Sequence, residues 1–321
     1  MMKDQRFRIK RHVIVIPHNA NEVELATSVW QPNTFIIKDC NMKNKLYKII
    51  KLLDGNNTIA EISKKNNIPR DEVEGIIEKL KVANVVEDRA SNIVDYYVDN
   101  MHALYQSSRN VEQFCRDVII VGDKKLQEIL CDILRKTFPN KSFIADRKKI
   151  DLLEKFNEEK SAMNHEKFLR KFSDWKNCLI VFVNQYINPD VLITFNKVAE
   201  DLNIQWFNAG LDGPFLHVGP LFNNAEGPCY ECLENQFLIS SRHSEYYLKY
   251  KKKLMSGLNL NSETANSLTP LYMLLCSFVA LEVSNFIATG NSLLEDKIFS
   301  IYLPTMEMSY HTMTKVQGCS V

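Results

Sequence analysis

Glycine is scarce in this chain: there are ten in 321 residues, and no three of them fall into the G-x-G-x-x-G spacing that brings backbone against a pyrophosphate. An excess of charge is missing too. Forty basic residues against thirty-nine acidic ones leave a formal charge of +1, so no global field directs the protein to nucleic acid or an anionic membrane. Neither G-x-S-x-G nor H-E-x-x-H occurs and the seven histidines are dispersed, which leaves catalysis by this chain alone without a constellation to carry it. No repeat of solenoid period and no low-complexity tract is found. The basic N-terminus, MMKDQRFRIKRHVIVIP, has an apolar run only from Val13 to Ile16 and no small-residue cleavage site. It is not a signal peptide, and a cytoplasmic location is expected.

What is present, 45% hydrophobic and 25% charged residues, fits a soluble globular protein with one large or two moderate domains. One stretch approaches membrane-spanning length, LTPLYMLLCSFVALEVSNFIAT over 268–289, but Pro270, Glu282 and Asn285 interrupt it and a buried core helix is expected. The eight cysteines are expected to be reduced thiols. Cys40, Cys115, Cys131, Cys178, Cys276 and Cys319 have no close partner in sequence, whereas Cys229 and Cys232 form a C-x-x-C.

From Arg6 to Lys38 short alternating bursts (HVIVIP, EVELATSV, TFIIKD) are separated by the turn-type clusters PHNAN and WQPN, and three strands are predicted. Helical spacing follows at Leu46, Ile49, Ile50 and Leu53 and stops at Asp54-Gly55. Thr58-Ile-Ala-Glu61 is a capping box that opens a second helix. Pro69 starts a third, whose stripe is Val73, Ile76, Ile77 and Leu80, and VVED closes the module as a short strand. Three strands, three helices and a wing describe a winged-helix-like module, for which DNA binding is the common reading. The third helix argues against it: Asp71, Glu72, Glu74 and Glu78 would meet phosphate with negative charge.

Residues 92–114, with Tyr96, Tyr97, His102 and Tyr105, read as a connecting segment of helical tendency. RDVIIVGDKKLQEILCDILRKTFPN then gives a strand, a glycine and an amphipathic helix, and KSFIAD a second strand, which is a βαβ opening. A charged helical stretch (147–176), the strand NCLIVFVN, the helix DVLITFNKVAEDLN and the strand IQWFNAGLD continue the alternation. The fold class expected is α/β: a winged-helix-like module over 1–90, a connector over 91–114 and a mainly parallel, doubly wound Rossmann-type domain over 115–321.

Of the dinucleotide-binding glycines only Gly122 is present; Lys124 and Gln127 stand at the second and third positions and obstruct the usual cradle. No ATP is expected to bind, and Asp146, at the distance of a ribose-holding carboxylate, reads as a relic or a helix cap. In LHVGPLFNNAEGPCYECLENQ, Cys229 and Cys232 sit in a loop-to-helix setting. Thiolates at this spacing can clasp zinc, but a structural site wants four ligands. Cys319 is the third, His311 the best internal substitute for the fourth, and no second C-x-x-C precedes Val321. A vestigial reduced pair is the competing reading, and a thioredoxin-type role fits less well.

The stretch from His12 to Asp88 closely resembles the precursor-peptide recognition element, a PqqD-like module of pathways that modify ribosomal peptides. RDVIIVGDKKLQEIL, NCLIVFVNQYINPDVLITFNKVA and above all VGPLFNNAEGPCYECL resemble the ThiF-like partner proteins of YcaO cyclodehydratases. That branch also lacks the adenylating glycines; where its members close with a second C-x-x-C, this chain has Cys319 alone. The resemblance implies that a leader peptide adds as a strand to Thr34, Phe35, Ile36, Ile37 and Lys38 and tucks apolar side chains against Val73, Ile76, Ile77 and Leu80. Several of these apolar residues could equally form the module's own core. An uncovered, β-branched edge is by itself a template for an incoming strand. The resemblance further implies a non-catalytic scaffold, degenerate in its ThiF-like domain, that presents Cys, Ser or Thr residues to a YcaO enzyme for thiazoline or oxazoline formation. A flavin dehydrogenase and a homodimer are further partners it suggests, with no nucleic acid and no membrane. The alternatives are an adenylating enzyme acting on a peptide carboxylate and a DNA-binding regulator.

Overall fold

Thr58 opens a helix as its sequence predicts. Its hydroxyl accepts the Glu61 amide at 3.3 Å and the Glu61 carboxylate accepts the Thr58 amide at 2.7 Å, so two amides left unpaired at a helix start are satisfied reciprocally. The computed structural model describes residues 5–10, 13–26, 34–41, 43–88, 117–139, 141–146, 148–156, 165–223, 227–255, 269–316 and 319. The connector expected over 91–114 and Cys115 lie outside them. The chain divides into two compact units, 1–104 and 105–321.

In the first unit the elements run β1 (Arg6–Ile9), β2 (Ile14–Asn19), β3 (Glu22–Ala26), β4 (Thr34–Lys38), α1 (Leu46–Leu52), β5 (Asp54–Thr58), α2 (Ile59–Asn66), α3 (Arg70–Val82) and β6 (Val86–Asp88). They form two three-stranded sheets, ordered β5-β1-β6 and β2-β3-β4. The three central strands and three helices match the sequence reading, but β1 and β5 do not. Asp54-Gly55 ends α1 and also begins β5, whose sequence DGNNT has little intrinsic strand preference. Pairing with β1 holds it there, together with buried Asn57, whose amide donates to Leu52 O at 3.1 Å and to the Asp54 carboxylate at 3.0 Å. On its other side β1 pairs with β6, where Arg8 and Glu87 form a 2.6 Å ion pair. Phe7 of β1, Val23 and Leu25 of β3, Ile62 of α2 and Val73 and Ile77 of α3 share one core.

The second unit carries a seven-stranded sheet ordered β13-β12-β11-β10-β9-β7-β8. β7 (Val118–Gly122), β8 (Phe143–Ala145), β9 (Leu179–Asn184) and β10 (Gln205–Asp212) are parallel; β11 (Phe215–Phe222), β12 (Lys297–Tyr302) and β13 (Glu307–Thr312) continue the sheet antiparallel. The α/β class holds, while the expectation of a mainly parallel sheet is corrected for its second half. The stretch LHVGPLF, to which the sequence pattern assigns no element, is β11, which returns from β10 as a hairpin whose Asp212 faces Phe215.

The helices are α4 (Lys124–Thr137), α5 (Lys148–Phe156), α6 (His165–Arg170), α7 (Pro189–Leu202), α8 (Tyr230–Ser240), α9 (Ser244–Met255) and α10 (Thr269–Thr289). Side chains of α4 and α10 fill one face of the sheet; those of α5, α6 and α7 fill the other. β7 is buried along its whole length, as a strand covered on both faces must be. α10 is long and apolar enough to cross a membrane by length and composition. Here its Tyr272, Leu275, Cys276, Val279 and Val283 lie in the core with Leu126 and Leu130 of α4.

Candidate functional site

Three places in the chain carry candidate chemistry. The first is the turn from β7 into α4. Gly122 has φ +129°, and a Cβ there would sit 2.0 Å from the carbonyl oxygen of Val183, so close strand contact fixes this residue as glycine. Asp123 follows; its amide donates to Val183 O at 3.0 Å and its carboxylate accepts the Gln185 amide. Gln127 is buried and donates to Ile120 O at 3.1 Å and to Asp146 O at 3.3 Å. The strand-to-helix crossing, where a third glycine would let backbones close up, is occupied by an amide that ties β7 to the turn after β8. The Asp146 carboxylate accepts the amide of Lys148, the first residue of α5, at 3.0 Å.

The second place is β4 of the first unit. Among the described residues it pairs with β3 alone, in the register Lys38 to Glu22, Ile37 to Val23, Ile36 to Glu24, Phe35 to Leu25 and Thr34 to Ala26. Among the described residues its other side carries no ladder. Phe35 is 37% exposed, Ile36 48% and Ile37 8%, while Thr34 and Lys38 are exposed and Lys38 pairs with Glu22 at 3.0 Å. On α3, Val73, Ile77 and Leu80 are wholly buried and belong to the module's own core. The helical period explains this, since positions 73, 77 and 80 form one inward stripe. They have no surface to offer a guest, and that part of the expected contact set is corrected. Ile76, on the flank of the stripe, stays partly exposed.

The third place is the start of α8. Cys229 is its N-cap residue. The Tyr230 amide donates to Asn196 Oδ1 at 3.1 Å and the Tyr230 ring packs against Trp206 and Phe222, each with centroids 6.1 Å away. Rigid neighbours therefore set where the thiols stand. Sγ of Cys229 lies 3.7 Å from that of Cys232 and 3.2 Å from that of Cys319, and all three sulfurs are within 4.8 Å of one another. Sequence positions separated by a β-hairpin and three helices are thus brought to one point.

Burial pushes the Cys229 thiol up. At Cys232 burial acts the same way, but the Val316 amide at 3.4 Å and the neighbouring sulfurs outweigh it and its pKa falls below the ordinary thiol value. A tetrahedral zinc with ~2.3 Å sulfur bonds would set sulfurs ~3.8 Å apart, close to the Cys229–Cys232 separation. Among the described residues no fourth Cys, His, Asp or Glu joins the group. His311, the expected substitute, is not a member; it stands on β13 with Nε2 3.1 Å from Ser309 Oγ.

No family model matches the sequence, and no curated protein matches it. Solved structures do. Heterocyclase TruD superposes with a TM-score of 0.66 at 17% identity over 98% of this chain and 42% of that one. A heterocyclase in complex with substrate and cofactor gives 0.66 and 17% over 98% and 39%. E. coli MccB with AMPCPP and MccA gives 0.53 and 16% over 98% and 99%. The chain therefore shares its fold with a heterocyclase and with MccB, and spans about two fifths of the heterocyclase chains.

Two structural residues escaped the sequence reading. Asn196, which anchors α8, is polar in the middle of an apolar helix, and that misplacement was its signal. Gly75, a lone glycine inside α3, broke the helical pattern in the same way.

Proposed function

We propose that this chain is a non-catalytic scaffold that captures the leader of a ribosomally made peptide by strand addition and delivers the peptide to a separate YcaO cyclodehydratase for thiazoline or oxazoline formation. The observation that supports the proposal is that, among the described residues, β4 pairs with β3 only and its other side carries no ladder. Main-chain hydrogen bonds from such an edge give affinity to any extended segment, and alternate side-chain pockets give selectivity. The first unit acts as the PqqD-like recognition element and the second as a docking domain. Tethering the leader makes encounter with the modifying enzyme effectively intramolecular.

The fold shared with a heterocyclase bound to substrate and with MccB bound to MccA supports a peptide as the ligand. In this reading ring formation is assigned to a separate YcaO chain, with a flavin dehydrogenase oxidising the product and a homodimer as the working form; the present chain spans about two fifths of the heterocyclases it resembles. ATP is consumed on that other chain, and the three thiols hold a structural zinc. The test is calorimetric titration of the full chain with the leader, and with the leader-free core, of a Cys- or Ser-rich precursor encoded beside its gene. Leader binding without ATP turnover supports the scaffold; equal binding of the leader-free core sinks it.

A second reading, an adenylating enzyme acting on a peptide carboxylate, is favoured by the match to MccB with ATP, at a TM-score of 0.51 over 98% of both chains. Gln127 weighs against it. Pyrophosphate exchange by the purified chain decides between the two.

A further inference from the structure

The two edges of the seven-stranded sheet are finished differently. β8 is blunted: it is three residues long, and the carbonyl of Phe143 at its start is already held by Arg135 at 2.9 Å. β13 runs six residues, Glu307 to Thr312, in unbroken register with β12. It contains no proline, no lysine and no bulge, the devices that keep an edge strand from pairing. Among the described residues it pairs with β12 alone, and five of its six residues are exposed, so both of its faces are open as well as its edge.

Alternation sorts the side chains of β13 by chemistry. Met308 and Tyr310 stand opposite Ile301 and Phe299 of β12, on the face whose core includes α10, and are 55% and 62% exposed. The Tyr310 ring packs on Phe299, centroids 5.2 Å apart, and Phe299 on Phe278 of α10 at 5.0 Å, so Tyr310 is braced from the inner side. Glu307, Ser309 and His311 share the other face, with Ser309 Oγ 3.1 Å from His311 Nε2.

Two identical strands that pair antiparallel about a two-fold axis normal to the sheet keep each face on its own side, so one residue must lie opposite its own copy. With Ser309 on the axis, Met308 falls opposite the partner's Tyr310 and Glu307 opposite the partner's His311. Sulfur then meets an aromatic ring on one face, and a carboxylate meets an imidazole on the other. With Met308 or Tyr310 on the axis, Glu307 falls opposite Ser309 or Met313 instead, and the charge match is lost.

We propose that β13 is the surface through which a second copy of this chain binds, edge to edge with Ser309 on the two-fold axis, joining two seven-stranded sheets into one. Such a pairing gives the proposed homodimer its interface and does not depend on strand addition at β4.

Sedimentation of the full chain is expected to give a dimer. Glu307→Lys is expected to weaken it by about fivefold to tenfold, and Glu307→Lys combined with His311→Glu, which restores opposite charges across the axis, to recover most of that loss. In a Cys40→Ser background, which lacks an exposed thiol, Ser309→Cys is expected to form a disulfide-linked dimer with glutathione disulfide as the oxidant. Thr312→Cys, which this register sets roughly 20 Å from its own copy, is expected to form no more than the Cys40→Ser parent. A chain that stays monomeric overturns the interface and the homodimer together. A dimer in which Ser309→Cys links no more than Thr312→Cys puts the contact elsewhere, and the β13 interface alone falls.

Discussion

Gln127 donates its side-chain amide to the carbonyl of Ile120 at 3.1 Å, across the junction of β7 and α4. In a nucleotide-binding turn this junction is left empty by glycine; here a buried side chain bonds the strand to the loop after β8 through a second contact at Asp146. The amide stabilises the junction from within, in place of the close helix–strand approach a glycine would allow.

Gln127→Ala is therefore expected to cost about 1–2 kcal/mol, as read by urea denaturation, since a buried side chain is removed and the Ile120 and Asp146 carbonyls each lose one donor, while Ile120 O keeps the Asp146 amide at 3.0 Å. Gln127→Gly is expected to lose at least as much and still to bind no ATP in calorimetry, because Lys124 remains at the second position. ATP binding by the glycine variant would show that a single side chain had closed a competent site.

Prolines placed in turn at Phe35 and Ile36 separate the two sides of β4. Adjacent residues of a strand send their N–H and C=O groups to opposite sides. One of the two prolines therefore removes a donor to β3 and lowers Tm; the other removes a donor on the free side. The second variant is expected to melt with the wild type and to lose peptide affinity by about tenfold, the scale of one or two main-chain hydrogen bonds. Equal peptide binding by both prolines, with Tm lowered in one, would place the ligand elsewhere.

The sequence made some of this legible and hid the rest for physical reasons. Periodicity found α1, α2 and α3 because each buries one stripe, and alternation found β2, β3 and β4 because β3 and β4 each have one buried side. β5 could not be read, since DGNNT has the residues of a turn and is a strand only because β1 lies beside it. β11 was hidden by its own Gly219-Pro220, which resembles a loop yet lies in a buried sheet strand. Of the candidate sites, the meeting of Cys319 with Cys229 and Cys232 followed from the chemistry of sulfur ligands alone. The burial of Val73, Ile77 and Leu80 did not, because an apolar stripe looks the same in sequence whether it faces a core or a guest.

The thiol cluster is expected to hold about one zinc ion per chain when the protein is purified without chelator, measured by plasma mass spectrometry. Cys232→Ser is expected to reduce zinc to background, and Co²⁺ loaded into wild type to show sulfur-to-cobalt charge-transfer bands absent from that variant. Metal-free wild-type protein with freely titrating thiols would mark the cluster as a reduced remnant.

Glu282 offers a test of the fold independent of any ligand. It is buried on α10, and its carboxylate accepts Ser292 Oγ at 2.5 Å and the Leu293 amide at 2.8 Å. Burial pushes its pKa above the ordinary carboxylate value, and those hydrogen bonds only partly oppose the shift. The folded state thus holds the proton more tightly than the unfolded state. Its contribution to stability is greatest below the unfolded pKa, falls as pH rises through the interval between the unfolded and folded values, and is constant above the latter. Glutamine keeps the accepting oxygen and removes the charge. Glu282→Gln is therefore expected to match the wild type in chemical denaturation at acid pH, and to exceed it at pH 7, the gap opening across that interval. Parallel pH profiles for the two proteins would mean that the carboxylate is ionised in the folded state as readily as in the unfolded chain, and that the Ser292 and Leu293 bonds fully offset its burial.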